Sequence, residues 1–161
     1  MLEKHLKYNL ELINMKLAIK VNYEYIQSDE FMSLIAQSIH SSQLAESERK
    51  IEYIARSLAG CMLNFEGKEI NRVICTRIMS QITLKEMDFI IDIIKDGRFI
   101  RKMEDSSSSV PFVETPENTI LVRGLVQLGL LVEYSGYDQS IHLQPSGLAE
   151  QVAFLALQTV L

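Results

Sequence analysis

The chain has 161 residues, of which 47% are hydrophobic and 23% charged, and its formal net charge is −5. This composition excludes a fully disordered chain, because enough apolar surface is available to offset the entropy lost on ordering. The first twenty residues carry six charges among their apolar side chains, and no stretch approaches the roughly 20 apolar residues of a membrane span. We therefore expect a cytoplasmic protein with no secretory leader and no membrane segment.

Residues 1–81 are predicted to form a helical bundle. The stretch from Leu2 to Ile26 contains no Pro or Gly, and apolar residues recur in it at spacings of four, three and four, which marks one face of a helix. This seam consists of Leu6, Leu10, Ile13 and Leu17. Such a seam packs either within the chain or against a second copy in a homodimer. The spacing of the seam fits both interpretations.

Further helices are expected after this first one. Ser28 precedes two acidic residues and is a predicted N-cap, and a second helix start is predicted near Ser47. A helix over Glu69–Ser80 is predicted to bury its apolar residues and to leave Arg72 and Arg77 in solvent.

No residue pattern has the spacing of a catalytic or metal site. Cys61 and Cys75 lie among apolar neighbours and are expected to be buried thiols. A zinc site would need about four closely spaced Cys or His ligands, and neither a Gly-rich phosphate loop nor a nucleophile elbow is present in the sequence. Asp88, Asp92 and Asp96 share a helical face opposite the apolar one, which is typical of a solvated surface. We predict no catalytic, cofactor-binding or metal-binding residues, no small-molecule substrate and a non-enzymatic protein.

Residues 82–161 are predicted to form a winged-helix-like subdomain with one small β-hairpin, packed with the bundle as one unit. A helix begins with the capping-box pair Thr83 and Glu86. After a loop rich in Ser and Pro, another helix begins at Pro116 and ends at Gly129. Two short β-prone runs and a last helix follow. This order of elements is typical of a winged helix. The fold class is therefore mainly α, with an N-terminal bundle and a winged-helix-like unit.

Four local patterns between residues 29 and 94 occur together in the chain. They are a helix led by Phe31, the string Glu48-Arg49-Lys50, the run Tyr53–Ala59, and the string Ile82-Thr83-Leu84. In this combination the segment resembles Abi-alpha-type phage-resistance-associated proteins. The resemblance implies a helical bundle joined to a winged-helix tail and a connection with phage defence. The chain lacks the His-Pro pair of that family's inter-helix segment, and no functional residues are carried over.

The distribution of charge separates two functions. Residues 1–77 carry ten basic and ten acidic residues, whereas residues 78–161 carry six basic and eleven acidic ones. Because phosphate binding depends on clustered Lys and Arg, this disfavours nucleic acid. We predict a protein-interaction or regulatory module that binds a protein partner or a second copy. The alternative is a DNA-binding regulator whose helix from Pro116 enters the major groove. Its candidate DNA-facing residues are Arg98, Arg101, Lys102, Asn118, Thr119, Arg123 and Gln127.

Overall fold

The described part of the chain is mainly helical and contains a small antiparallel sheet. The sequence predicted the hairpin of this sheet but not its third strand, which lies in the predicted loop rich in Ser and Pro. A computed structural model describes residues 1–16, 21–64, 70–95, 110–111, 116–135 and 141–157. In these ranges the helices are α1 (Leu2–Lys16), α2 (Tyr23–Ile26), α3 (Asp29–Gln43), α4 (Glu48–Cys61), α5 (Arg72–Gln81), α6 (Leu84–Lys95), α7 (Pro116–Gln127) and α8 (Gly147–Leu157). The strands are β1 (Val110–Pro111), β2 (Leu131–Ser135) and β3 (Ile141–Pro145).

The contacts divide the chain into two compact units. The first unit comprises Met1–Gln81 together with Phe154–Leu161, and the second comprises Ile82–Ala153. Helix α8 therefore begins in the second unit and ends in the first.

In the first unit, α1 packs on α4, and α3, α4 and α5 pack against one another. The Ser28 side chain accepts a hydrogen bond from the Phe31 amide at 3.2 Å, and Ser47 accepts one from the Lys50 amide at 3.2 Å. Both predicted helix starts are thus confirmed, because these caps satisfy amides that have no partner inside the helix. The buried apolar side chains of this unit are Phe31, Leu34, Tyr53, Ile54, Ala55, Leu58, Ala59, Cys61, Leu63, Cys75, Ile78, Met79, Leu155 and Ala156.

Helix α5 begins at Arg72, later than the predicted Glu69. The side chain of Asn71 accepts a hydrogen bond from the Ile74 amide at 3.0 Å, which places the N-cap at Asn71. The sequence prediction began too early because the apolar period extends back to Ile70, which lies before this cap.

In the second unit, α6 begins with the predicted capping box. The Glu86 amide donates to the Thr83 hydroxyl at 3.3 Å, and the Thr83 amide donates to the Glu86 carboxylate at 2.8 Å. Helix α7 ends in a Schellman motif, in which the Leu130 amide donates to the carbonyl of Leu125 at 2.8 Å. Gly129 adopts a φ of 72° there, a conformation that favours glycine.

The sheet of the second unit is antiparallel, with strand order β1-β3-β2. The predicted hairpin is confirmed, since Leu131 lies opposite Pro145 and Ser135 opposite Ile141. The Ser146 hydroxyl donates to the carbonyl of Gly129 at 2.6 Å and accepts from the Ala149 amide at 3.1 Å, which joins the end of α7 to the start of α8. The buried apolar side chains of this unit are Ile82, Met87, Ile90, Ile91, Ile94, Val122, Leu125, Leu130, Leu131, Leu143, Ala149, Val152 and Ala153.

Candidate interaction surfaces

Four of the seven residues predicted to face DNA lie among the described residues, and two of these four are exposed. Arg98, Arg101 and Lys102 lie outside the described residues. Asn118 and Thr119 are half-buried on α7, and each already has an interaction within the chain. The two remaining residues, Arg123 and Gln127, are exposed on α7.

One face of α7 is exposed along the whole helix. Its residues follow one another at spacings of four, three and four, which is one helical stripe. We call them, with the adjacent Glu117, the α7 outer face: Pro116, Glu117, Ile120, Arg123 and Gln127. Ile120, in the middle of the stripe, is 74% exposed. With one carboxylate and one guanidinium, this face has no net charge.

Gly124 of α7 lies close to the side chain of Glu86 on α6. A Cβ atom at Gly124 would lie 1.9 Å from the Glu86 carboxylate of the α6 capping box, so only glycine leaves room for that side chain in its present place. No sequence pattern indicates this approach, because Gly124 lies inside a helical pattern and Glu86 lies 38 residues earlier.

The predicted apolar seam of α1 is used, at least in its first half, within the chain. Leu6 and Leu10 are partly buried against Ala59 and Leu63 of the first unit. This corresponds to the intramolecular interpretation of the seam rather than the homodimer one, because α1 packs on α4 through this face. The side chain of Ile13 and the whole of Leu17 lie outside the described residues.

A second exposed helical face lies on α3, opposite its buried residues Phe31, Leu34 and Ser38. All of its members are exposed, and we call them the α3 outer face: Asp29, Met32, Ser33, Ala36, Ile39, His40 and Gln43. Met32 is 59% and Ile39 46% exposed, and Leu44, just beyond the helix, is 72% exposed. No sequence pattern marks this surface, because its apolar residues also fit an ordinary buried stripe.

The expectation that Arg72 is solvated is wrong. Its Nη2 donates to the carbonyl of Leu63 at 2.9 Å, and its Cζ lies 4.2 Å from the centre of the Tyr25 ring. The Tyr25 hydroxyl donates to Glu30 at 2.8 Å, and burial together with this hydrogen bond raises the pKa of the Tyr25 phenol well above its usual range. The cluster ties α2, the end of α4 and the start of α5 together. Arg77, in contrast, is exposed as predicted.

The polar groups between α3, α4 and α5 form a narrow crevice. Its lining includes Ser38, Ser57 and Thr76, which are almost fully buried. The hydroxyls of Ser38 and Ser57 have no hydrogen-bond partner among the described residues. The crevice is too narrow for a water-sized sphere, so it does not offer the space that a bound molecule needs.

Both cysteines are buried thiols, as predicted. Burial raises the pKa of Cys61 to about 11 and that of Cys75 to about 12, so both are protonated at neutral pH. Within the described ranges, no three His, Cys, Asp or Glu side chains are grouped so that they could hold a metal ion. In the same part of the chain, no helix has the length and apolar character needed to cross a membrane.

The chain matches no protein-family model, and no curated protein or solved structure is significantly similar to it. Its exposed surfaces are therefore the basis for its proposed function.

Proposed function

We propose that the protein is a non-enzymatic interaction module whose second unit is winged-helix-like and docks on a partner protein through the α7 outer face. The order α6, β1, α7, β2, β3, α8 and the strand order β1-β3-β2 support the winged-helix-like description. The resemblance to Abi-alpha-type proteins supports a place in phage defence.

The observation that carries this proposal is the chemistry of the α7 outer face. Its large hydrophobic side chain, Ile120, is 74% exposed, and its one cation is Arg123, balanced by Glu117. When an exposed aliphatic side chain enters an apolar pocket of a partner protein, its burial makes the free energy of binding more favourable. Contact with a phosphate backbone contributes little of this kind. A helix presenting a central apolar residue flanked by polar ones is suited to a groove of a partner protein.

The alternative function is a DNA-binding regulator, and the charge of the second unit opposes it. This unit, Ile82–Ala153, contains six basic and eleven acidic residues. Each phosphate contact needs a basic or polar donor, and a net negative domain repels the duplex at long range. The candidate base-reading residues Asn118 and Thr119 are half-buried and already engaged.

The two functions are separated by one pair of measurements. We expect no binding to a generic duplex in fluorescence anisotropy at about 50 mM salt and up to tens of micromolar protein. We expect a photo-reactive benzoyl-phenylalanine introduced at Ile120 to form a discrete protein adduct in the cells of origin, and the same residue at Asp92, exposed on α6, to form none.

Micromolar DNA binding that weakens as salt rises and is lost in Arg123→Ala would contradict the proposal and support the regulator. Equal cross-linking from positions 120 and 92, or none from either, would also contradict it.

A further inference from the structure

Beyond its first two residues, Asp29 and Glu30, helix α3 carries no Asp, Glu, Lys or Arg. From Phe31 to Ala45 the sequence contains no Asp, Glu, Lys or Arg. The face opposite the core of a surface helix is usually charged, because charged side chains remain hydrated there. The α3 outer face instead exposes Met32, Ala36 and Ile39. This is unfavourable for a face that stays in water, and it is typical of a face that is covered.

The exposed residues also have the spacing of a helix-pairing seam. Positions 29, 36 and 43 are seven apart, and the pairs 32–33 and 39–40 lie between them. This 3.5-residue period is that of helices that pack side by side along their length. Ala36 lies at the centre of the seam, and its small side chain allows the axes of two helices to approach to about 8 Å.

We propose that the α3 outer face pairs with the same face of a second copy of this chain, antiparallel, about a twofold axis at Ala36. A twofold interface uses one patch on both subunits, so the patch must be complementary to itself. About this axis, Ala36 meets the partner's Ala36, Ser33 lies level with the partner's Ile39, and Met32 lies level with the partner's His40. Met32 is then only one residue, about 1.5 Å along the axis, from the level of the partner's Ile39, so these two apolar side chains can cover one another. This inference concerns a surface of the first unit and goes beyond the function proposed for α7.

The distribution of polar groups at the ends of α3 favours a second copy in the antiparallel arrangement. The first turn is acidic, with Asp29 and Glu30, and the last turn carries His40 and Gln43. Antiparallel pairing places Asp29 level with the partner's Gln43, whose amide can donate to the carboxylate. It also brings opposite ends of the helix dipoles together. Parallel pairing would instead place two copies of Asp29 side by side, where like charges repel.

The size of the surface sets the strength of this association. A 15-residue helix is about 22 Å long, and one face of it buries less than the roughly 800 Å² per partner of a standard interface. We therefore expect a reversible dimer with a dissociation constant in the micromolar range.

The first test is sedimentation velocity from about 1 to about 200 μM protein. We expect the natural chain to pass from monomer to dimer over this range. Ala36→Glu places two carboxylates on the twofold axis and is expected to weaken dimerisation by at least tenfold. The matched control is Val73→Glu, which introduces the same charge at an exposed apolar position in the first turn of α5. It is expected to leave dimerisation unchanged.

The second test determines the direction of pairing by oxidative cross-linking. Ala36→Cys is expected to give a disulfide-linked dimer, whereas Met32→Cys is not. In the antiparallel pair the two copies of position 32 are offset by eight residues, about 12 Å along the axis, and a disulfide needs Cα atoms within about 7 Å. The natural thiols of Cys61 and Cys75 are buried, so they do not interfere.

Three outcomes would overturn the proposal. They are a monomer at every concentration, equal weakening of the dimer by Ala36→Glu and Val73→Glu, and cross-linking of Met32→Cys as efficient as that of Ala36→Cys. The last outcome would indicate a parallel pair.

Discussion

The two units bury polar side chains differently. In the first unit, the interior includes Asn9, Ser38, Lys50, Ser57 and Thr76 among its buried side chains. Among the described residues of the second unit, every buried side chain is apolar. The second unit also has polar contacts at its helix ends, in the α6 capping box, the Schellman turn after α7 and the Ser146 cap of α8. The contacts of Arg72 thus join separate elements of the first unit, whereas these contacts of the second unit lie at the ends of elements.

This difference has a consequence for stability. A helix cap is worth about 1 kcal/mol, because water can replace the lost hydrogen bond at an exposed helix end. When one side chain of a polar contact between packed elements is removed, the other group stays buried without a hydrogen bond. This lowers the free energy of unfolding by more than the loss of a cap does. We therefore expect the largest single polar effect in the first unit, at Arg72.

Arg72→Ala is expected to lower the free energy of unfolding by about 2–3 kcal/mol. The variant removes the hydrogen bond from Nη2 to the carbonyl of Leu63 and the cation from the face of the Tyr25 ring. Urea denaturation followed by circular dichroism measures this change. Arg77→Ala, an exposed arginine on the same helix, is the matched control and is expected to change stability by less than about 0.5 kcal/mol.

Arg72→Lys makes the comparison sharper. Lysine keeps a positive charge near Tyr25 but lacks the planar group that binds the Leu63 carbonyl and stacks on the ring. We expect it to recover less than half of the stability lost in Arg72→Ala. Equal stability of Arg72→Ala and Arg77→Ala would show that the Arg72 contacts contribute nothing.

The same difference explains what sequence analysis could predict. The caps at Ser28, Ser47 and Thr83 and the turn at Gly129 are formed by residues within a few positions of one another, so their patterns are visible in the chain. Arg72 was placed in solvent because its partner Tyr25 lies 47 residues away, and no local pattern connects the two.

The candidate surfaces were less predictable than the elements. The α1 seam was identified correctly as apolar, but its spacing could not tell whether α4 or a second copy covers it. The α3 outer face was overlooked because exposure depends on which side of α3 meets the core, and periodicity alone does not distinguish two apolar sides. The sequence placed Arg123 and Gln127 on the helix from Pro116 and gave the acidic charge of the surrounding residues. It did not indicate that Asn118 and Thr119 are half-buried.

In the second unit, the cap at the start of α6 competes for space with residue 124. Gly124→Ala should displace the Glu86 carboxylate from the capping box, because the new Cβ atom would lie 1.9 Å from it. The lost cap costs about 1 kcal/mol, which exceeds or cancels the gain of up to about 1 kcal/mol from replacing glycine by alanine in a helix. We expect a net change between zero and about −1 kcal/mol in the free energy of unfolding, measured by urea denaturation.

A double-mutant cycle isolates this conflict. In a Glu86→Ala background the carboxylate is absent, so Gly124→Ala is expected to stabilise by about 0.5–1 kcal/mol. Gly124→Ala is thus expected to stabilise the chain when residue 86 is Ala, but not when it is Glu. The same effect in both backgrounds would mean that the side chain of Glu86 moves aside without losing its cap.

The smallest effect at neutral pH is expected from the two thiols of the first unit, and it grows as pH rises. Burial raises the pKa of Cys61 to about 11 and that of Cys75 to about 12, from about 9 in the unfolded chain. Above pH 9 the unfolded chain therefore releases these protons before the folded one does, and the free energy of unfolding falls as pH rises from about 9 to about 12. Below pH 9 both states bind the protons and the effect vanishes.

The control for this prediction is the double variant Cys61→Ala, Cys75→Ala, which retains every other group that titrates in the same range. We expect the difference in unfolding free energy between the natural chain and this variant to be constant from pH 7 to 8.5. It should then shift by on the order of 1 kcal/mol per thiol by pH 10, to the disadvantage of the natural chain. A difference that does not change with pH would mean that the thiols ionise as easily in the folded chain as in water. It would contradict the buried packing of both cysteines, and with it the close contact of α4 and α5 that the Arg72 cluster is expected to stabilise.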